Sequence, residues 1–202
     1  MSLWCGQYPL VLASQSRTRQ MLLANAGIEF EAVPADIDER AVQQASGFSA
    51  PGDIAALLAR EKAAFASSRK PGRFVVGADQ TLALGTRLFS KPAGRAQAAE
   101  QLRALSGQRH ELHSAVAVAR DGKILFEAMA IAGMTMRQLG EADIEAYLNE
   151  AGDAVTSSVG AYQLEGLGVH LFERIEGDHF TILGLPLLPL LDFLRNARLL
   201  TV

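Results

Sequence analysis

The chain has 202 residues, of which 49% are hydrophobic and 20% are charged, and its formal net charge is −3. A chain of this size and composition can bury enough apolar surface to fold without a disulfide, a structural metal or a partner. The weak negative charge argues against a protein that binds DNA, RNA or anionic lipid, because such partners require a basic surface.

The sequence carries little information about the cellular compartment, and it shows no pattern typical of a membrane protein. No apolar run reaches the roughly 18 residues of a membrane span, and the N-terminus lacks a signal-type pattern. The single cysteine, Cys5, cannot form an internal disulfide, which is typical of a reducing compartment. We therefore expect a cytoplasmic protein with no membrane partner.

Strand-like and helix-like segments alternate along the chain without repeats or low-complexity tracts. In the first part of the chain the pattern predicts a strand at 10–13, a helix from 17 to a stop at Gly27, a strand at 30–34, an acidic turn at 36–40 and a helix at 53–68. The middle part is predicted to form a strand at 74–78 that ends at Asp79, a hairpin at 81–90, a helix at 95–105, and strands at 110–119 and 123–132 joined by an Asp-Gly turn. The last part is predicted to contain a helix at 141–148, a glycine-rich stretch at 152–168, a strand at 169–175 and a leucine-rich helix to about 198. This order predicts one α/β domain over residues 1–202, with two lobes around a central cleft.

The polar turn between the first strand and the first helix contains Ser14, Ser16 and Thr18. Two arginines, Arg17 and Arg19, lie in the first helical turn, where the helix dipole disfavours cations, so an anion is expected to compensate them. Free backbone N–H groups, hydroxyls and guanidinium groups at a helix N-terminus suit a phosphate. An ordinary serine N-cap with solvated arginines explains the turn equally well.

Asp79 and Glu39 are the acids that the pattern singles out. Asp79 follows a buried strand, where open α/β sheets usually bind ligands, and Glu39 closes a cluster of three acids. Together they could hold Mg²⁺, which takes one or two carboxylates plus water and phosphate oxygens. A turn-forming aspartate and a solvated acidic loop are the alternatives.

Two lysines could complete such a site. Lys62 interrupts an apolar helical row formed by Ile54, Leu58 and Phe65, and its ammonium either reaches a partner or extends to solvent. Lys91 precedes a proline, which favours an extended backbone. If these lysines and Arg19 face Glu39 and Asp79, the set has the cations and carboxylates that phosphoryl chemistry needs.

The sequence lacks the motifs of several other well-defined nucleotide-binding, metal-binding and hydrolase classes. The sequence contains no P-loop, no dinucleotide-binding Gly-x-Gly-x-x-Gly after a strand and no Cys/His set with zinc spacing. Ser14 lies on a strand-to-helix turn like a hydrolase nucleophile, but the flanking glycines are missing.

Short motifs follow one another along nearly the whole chain: Leu-Ala-Ser-Gln-Ser-Arg-Thr-Arg at 12–19, Asp-Ile-Asp-Glu at 36–39, Ala-Arg-Glu-Lys-Ala at 59–63, Val-Gly-Ala-Asp-Gln at 76–80, Lys-Pro at 91–92, Leu-Ser-Gly at 105–107, Gly-Ala-Tyr at 160–162 with Glu-Gly at 165–166, Ile-Glu-Gly-Asp at 175–178 and Gly-Leu-Pro-Leu at 184–187. With these motifs the chain resembles the Maf nucleotide pyrophosphatases, whose fold is related to that of the inosine triphosphatases. The resemblance implies a mixed twisted sheet flanked by helices, and a homodimer.

The resemblance also implies a hydrolase that uses Mg²⁺, Mn²⁺ or Co²⁺ to cut nucleoside triphosphates between the α- and β-phosphates. The residues that match the family's functional positions are Asp79 as general base and metal ligand, Glu39 as metal ligand, Lys62 and Lys91 as phosphate-facing lysines, and Ser14, Ser16 and Arg19 in the phosphate-binding turn. Many family members have Pro-Arg where this chain has Arg17-Thr18, which leaves base contacts near Thr18 open.

Three positions are associated with base choice in the family: Thr18, Gln80 and Glu165. Arg, Thr and Gln there resemble the dTTP/UTP branch, whereas Trp, Gln and Glu resemble the 7-methyl-GTP branch, which this chain matches at two of the three. A carboxylate can accept from both N1–H and the 2-amino group of guanine, which favours 7-methyl-GTP over dTTP or UTP.

Two other functional classes stay open. Residues 12–19 faintly resemble the Gly-rich Thr-Arg loop of sugar-nucleotide transferases, although the essential glycines are serines here. A nucleotide-binding regulator of cell division is the third possibility, since the family has been linked to septum formation.

Overall fold

The apolar segments form a mixed seven-stranded sheet in the computed structural model, which describes residues 3–201. The strands are β1 (Leu10–Leu12), β2 (Phe30–Ala32), β3 (Val75–Leu84), β4 (Arg87–Phe89), β5 (Arg109–Arg120), β6 (Lys123–Met136) and β7 (Phe172–Glu176). Their order is β2-β1-β3-β5-β6-β7, with β4 paired to β3. β1 is parallel to β2 and β3, and the remaining pairs are antiparallel, which confirms the expected mixed sheet.

Helices cover both faces of this sheet. They are α1 (Arg17–Asn25), α2 (Glu39–Ser46), α3 (Pro51–Ser68), α4 (Arg95–Leu105), α5 (Glu141–Ala151), α6 (His179–Ile182) and α7 (Leu187–Asn196), with short 3-10 helices at Gly152–Thr156, Val159–Ala161 and Leu167–Leu171. None of the helices in residues 3–201 combines the length and the apolar character that a membrane span needs.

Two hydrophobic clusters lie at opposite ends of the long strands. One packs α1 and α7 against the first half of β3 and against Val116 and Val118 of β5. The other packs α4, α5 and the 3-10 helices against Leu82, Leu112 and Met134 at the far ends of β3, β5 and β6. The sheet runs through both clusters, so the two predicted lobes share one sheet.

The opposite face of the sheet is covered by α3 at very short range. Ala55, Ala59 and Ala63 of α3 pack on the alanines of β5, where small side chains allow close approach. Gly77 of β3 faces the same helix, and a Cβ built on it would lie 2.2 Å from the carbonyl oxygen of Ala59. This contact fixes how α3 sits over β3.

Three expectations about elements were wrong. The strand ahead of Asp79 does not end there, because β3 pairs with β5 as far as Ala83. The acidic turn at 36–40 instead opens helix α2, whose first residue is Glu39 and whose N-cap Asp38 accepts the Ala41 N–H at 3.0 Å. The strand expected at 169–175 begins only at Phe172, since Leu167–Leu171 is helical.

Candidate active site

A cleft of about 1470 Å³ opens along one edge of β3. β1 borders this edge at Val75 and Val76, and β4 borders it only from Leu82, so residues 77–81 have no partner strand on that side within residues 3–201. Asp79 and Gln80 lie in this gap. Because adjacent strand residues point to opposite faces, Asp79 faces α3 and Gln80 faces α6, and the cleft reaches both faces around the edge.

All ten residues singled out in the sequence line this cleft: Ser14, Ser16, Thr18, Arg19, Glu39, Lys62, Asp79, Gln80, Lys91 and Glu165. The convergence that sequence spacing could only assume is therefore present in the tertiary structure. Their chemical roles stay predictions at this point.

Lys62 joins the two candidate acids. Its Nζ lies 2.7 Å from Asp79 Oδ1 and 2.7 Å from Glu39 Oε1. Lys62 and Asp79 are each only 8% exposed. The alternative that Lys62 extends to solvent is thus wrong, because its place on the inner face of α3 directs the ammonium onto β3.

Burial dominates the electrostatics of this cluster. Desolvation raises the pKa of Asp79 above its ordinary value, while the positive charges of Lys62 and Arg19 oppose the rise. A carboxylate with a raised pKa is a stronger proton acceptor than an exposed one. The environment of Asp79 therefore suits a general base.

The start of α1 has the groups that the predicted anion-binding site needs, and we call it the anion seat; its serine N-cap also agrees with the alternative of an ordinary helix start. Ser16 is the N-cap and accepts the Arg19 N–H, and Ser14 Oγ accepts the Ser16 N–H at 3.2 Å. The backbone N–H groups of Arg17 and Thr18 lie in the first turn, where no intrahelical acceptor exists. These N–H groups and the serine hydroxyls border the cleft and can meet an anionic ligand.

Arg19 is held mainly by the protein itself. Its Nε donates to Gly184 O at 2.8 Å, and its Nη1 donates to Ala78 O at 2.9 Å. Ala78 belongs to the unpaired edge of β3, so the guanidinium supplies a donor that no strand provides there. The expectation that an anionic ligand compensates Arg19 stays a prediction, and these two carbonyl oxygens and the charges of Asp79 and Glu39 already compensate it in part.

Thr18 and Glu165, which are 147 positions apart, meet at the cleft wall. Thr18 Oγ1 donates to Glu165 Oε1 at 2.8 Å. Gln80 Nε2 lies 2.8 Å from Ser114 Oγ, 3.1 Å from Thr181 O and 3.0 Å from Ile182 O. Because carbonyl oxygens only accept, the Gln80 amide nitrogen is fixed toward them, and its Oε1 makes no hydrogen bond with the described part of the chain.

Lys91 also lines the cleft, in the loop after β4. Its side chain is exposed, borders the cleft and forms no ion pair with the residues from 3 to 201. An ammonium group without an acidic partner is available to a phosphate.

The donor set for a metal is small. Among residues 3–201 no group of three or more His, Cys, Asp or Glu side chains is arranged to hold a metal ion. Glu39 and Asp79 nevertheless contact one ammonium, so their oxygens reach a common point, and Glu39 is open to the cleft. Two carboxylates fit Mg²⁺ or a similar hard cation when water and phosphate oxygens complete the shell.

Ser114, Thr181 and Gly184 support the site but were not singled out in the sequence. Ser114 donates to Thr181 O at 2.7 Å and accepts from Gln80. Gly184 has a φ of +85°, and a Cβ there would lie 3.4 Å from Arg19 Nη2. Gly184 belongs to the Gly-Leu-Pro-Leu motif at 184–187, which the sequence shows without a role for its glycine, whereas Ser114 lies in a long strand without any local signal.

Comparisons with known proteins give consistent matches. The family described as "Maf-like protein" matches residues 9–197. A "Nucleoside triphosphate pyrophosphatase" of Rhodopseudomonas palustris is 71% identical over 202 residues, and one of Bradyrhizobium diazoefficiens is 70% identical over 202 residues, each covering 100% of both chains. A "7-methyl-GTP pyrophosphatase" of Brucella abortus is 53% identical over 192 residues, which cover 94% of this chain and 96% of that protein.

Proposed function

This chain belongs to the family of Maf-like proteins, and we propose that it is a nucleoside triphosphate pyrophosphatase that cleaves the bond between the α- and β-phosphates. The products are a nucleoside monophosphate and pyrophosphate. The observation that carries the proposal is the Asp79–Lys62–Glu39 cluster beside the anion seat of α1 in one cleft. A nucleotide substrate would be met in the cytoplasm, the compartment that the sequence predicts.

The reaction follows from the groups that line the cleft. The first turn of α1, Ser14, Ser16 and Lys91 bind the phosphate oxygens. Asp79 accepts a proton from a water molecule whose oxygen bonds to the α-phosphorus, and the bond from that phosphorus to the bridging oxygen breaks. Lys62 orients the Asp79 carboxylate in the nucleotide-free protein, and pyrophosphate leaves with the bridging oxygen.

We propose that Glu39 and Asp79 hold a divalent cation, Mg²⁺, Mn²⁺ or Co²⁺, during this reaction. The cation would neutralise charge on the phosphate oxygens. The support is the donor chemistry, namely two carboxylates that reach a common point beside the anion seat.

For the nucleotide we propose 7-methyl-GTP, with dTTP or UTP as the alternative. Glu165 and the free Oε1 of Gln80 both present acceptors to the cleft, and guanine offers an N1–H and a 2-amino group as donors. Uracil and thymine offer one N–H between two carbonyls, so they match two acceptors less well. A cationic 7-methylguanine would also be attracted to the Glu165 carboxylate.

Product analysis with a nucleotide panel tests the proposal. The purified protein and Mg²⁺ are incubated with 7-methyl-GTP, GTP, dTTP and UTP, without a sugar phosphate. We expect equal amounts of monophosphate and pyrophosphate, with the highest kcat/KM for 7-methyl-GTP. Turnover that requires a sugar phosphate would identify a transferase, and nucleotide binding without turnover would identify a regulator.

The variant Glu165→Gln extends the same experiment to base choice. We expect its preference for 7-methyl-GTP over UTP to fall by about 10-fold, because one hydrogen bond to a charged acceptor contributes about 1.5 kcal/mol. Glu173→Gln, a change of the same kind at an exposed position that does not border the cleft, is the matched control and should leave the ratio unchanged. An unaltered ratio in both variants would remove Glu165 from base recognition.

We propose that the protein is a homodimer in which two copies pair along the edge of β6. β7 pairs with β6 only from Gly133 to Met136, and Gly177 lies against Ala132, so residues 123–131 present a free edge within the described chain. This edge carries three exposed apolar side chains, Leu125 at 48%, Met129 at 46% and Ile131 at 47%. A long apolar edge invites pairing, and antiparallel pairing of a strand with its own copy forms a closed two-fold dimer.

Light scattering measures this assembly directly. The wild type is expected at twice the chain mass, and Met129→Lys with Ile131→Lys should give a folded monomer, because two ammonium groups per copy would meet at the paired edge. Leu188→Lys, at an exposed apolar position on α7, should remain dimeric. A wild-type monomer at micromolar concentration, or a dimeric double variant, would contradict the proposed interface.

A further inference from the structure

The Lys62 ammonium lies where a cation between the two acids would be placed. Its Nζ contacts Asp79 Oδ1 and Glu39 Oε1, each at 2.7 Å. Lys62 comes from the buried face of α3, and only 8% of the residue is exposed. In the nucleotide-free protein, one oxygen of each carboxylate is therefore already used by a resident positive charge.

The charges around this point also balance without a metal. Glu39 and Asp79 contribute two negative charges, and Lys62 and Arg19 contribute two positive ones. Arg19 interacts electrostatically with both acids. A divalent cation entering alone would have to separate Lys62 from its partners and would leave an excess of positive charge beside the buried Asp79, which is unfavourable.

A triphosphate changes this balance. Its oxygens bring several negative charges into the cleft, and they offer the Lys62 ammonium a new acceptor beside the α1 anion seat. The carboxylate oxygens then become free for another cation, and phosphate oxygens supply the ligands that two carboxylates lack.

We propose that Lys62 blocks divalent-cation binding in the nucleotide-free protein, so that the cation enters with the triphosphate and not before it. Lys62 is in this respect a positioning residue that holds Glu39 and Asp79 together until substrate arrives. The inference rests on the proposed function, since it takes the triphosphate as the substrate.

Titration of nucleotide-free protein with Mn²⁺, followed by the electron paramagnetic resonance signal of free Mn²⁺, tests this order of binding. The wild type is expected to bind with a Kd weaker than about 100 μM, and Lys62→Met should bind at least about 10-fold more tightly. Lys91→Met is the matched control, because it removes the same charge from the same cleft but from a lysine without an ion pair to residues 3–201. Its Mn²⁺ affinity should stay within about 3-fold of wild type.

Several outcomes would overturn the proposal. They are wild-type binding tighter than about 100 μM, no gain in Lys62→Met, or an equal gain in Lys91→Met, which would indicate bulk electrostatics. If Lys62→Met does not fold, Lys62→Gln takes its place and should show the same gain in Mn²⁺ affinity. The same wild-type preparation is assayed for pyrophosphate release. If pyrophosphate is released but Lys62→Met does not bind Mn²⁺ more tightly than wild type, only this inference is rejected. If Lys62→Met binds Mn²⁺ more tightly but the wild type releases no pyrophosphate, only the proposed function is rejected.

Discussion

Replacing Asp79 with asparagine is expected to lower kcat by about 10³-fold, which corresponds to about 4 kcal/mol of barrier. The amide has the shape of the carboxylate, and its Oδ1 can still accept from Lys62, so the fold should persist. It cannot, however, accept a proton from water at neutral pH. The measurement is the rate of pyrophosphate release at saturating nucleotide, with the melting temperature as the check on folding.

Asp36→Asn provides the control for Asp79→Asn. Asp36 borders the same cleft, is exposed, and makes no hydrogen bond or ion pair to another described residue. Its removal changes the net charge equally and should leave kcat near the wild-type value. A folded Asp79→Asn enzyme with wild-type turnover would show that proton transfer depends on another group.

Replacing Gly77 with alanine is expected to destabilise the protein by about 3 kcal/mol, at the upper end of typical overpacking. The added Cβ would lie 2.2 Å from Ala59 O and 2.5 Å from Ala63 N. These are backbone atoms of α3 and cannot rotate away, so the helix must shift. Urea denaturation measures the loss of stability.

The same shift should reduce activity. Ala59 and Ala63 flank Lys62 on α3, so a helix displaced by about 1 Å carries the ammonium away from Asp79, and misplacement of this size costs about 10²-fold in rate. Gly94→Ala is the matched control, since Gly94 is extended at a φ of −179° and its Cβ would meet no atom within 4 Å. Wild-type stability of Gly77→Ala would contradict the packing of α3 on β3.

Local sequence patterns predicted most elements of the fold. The hairpin around Gly85 and the turn at Asp121-Gly122 are confirmed, because tight turns depend on the residues inside them. The predicted end of β3 was wrong because the length of this strand depends on a distant part of the chain. Nothing near Asp79 signals that the strand continues, because pairing with β5, more than 30 residues later in the chain, extends it.

Some residues of the candidate site could be selected from the sequence, and others are visible only in the folded structure. Ser14 and Ser16 could be selected from the local turn, and the ordered motifs selected Asp79, Glu39, Lys62, Lys91 and Glu165. Ser114 and the carbonyl oxygens of Thr181 and Ile182, which orient Gln80, carry no such signal. Backbone acceptors have no sequence identity, so only the folded chain reveals them.

The sequence by itself determined the α/β class, the order of most elements and ten candidate residues that the structure places in the cleft, because periodicity, turn chemistry and motifs are local properties. The tertiary structure decided that Lys62 lies between Glu39 and Asp79, that Arg19 binds the free edge of β3, and that Thr18 meets Glu165. Each of these contacts joins segments far apart in the chain, and its geometry depends on how α1 and α3 pack on the sheet. Distances across such packed elements follow from the whole core, which no local pattern contains.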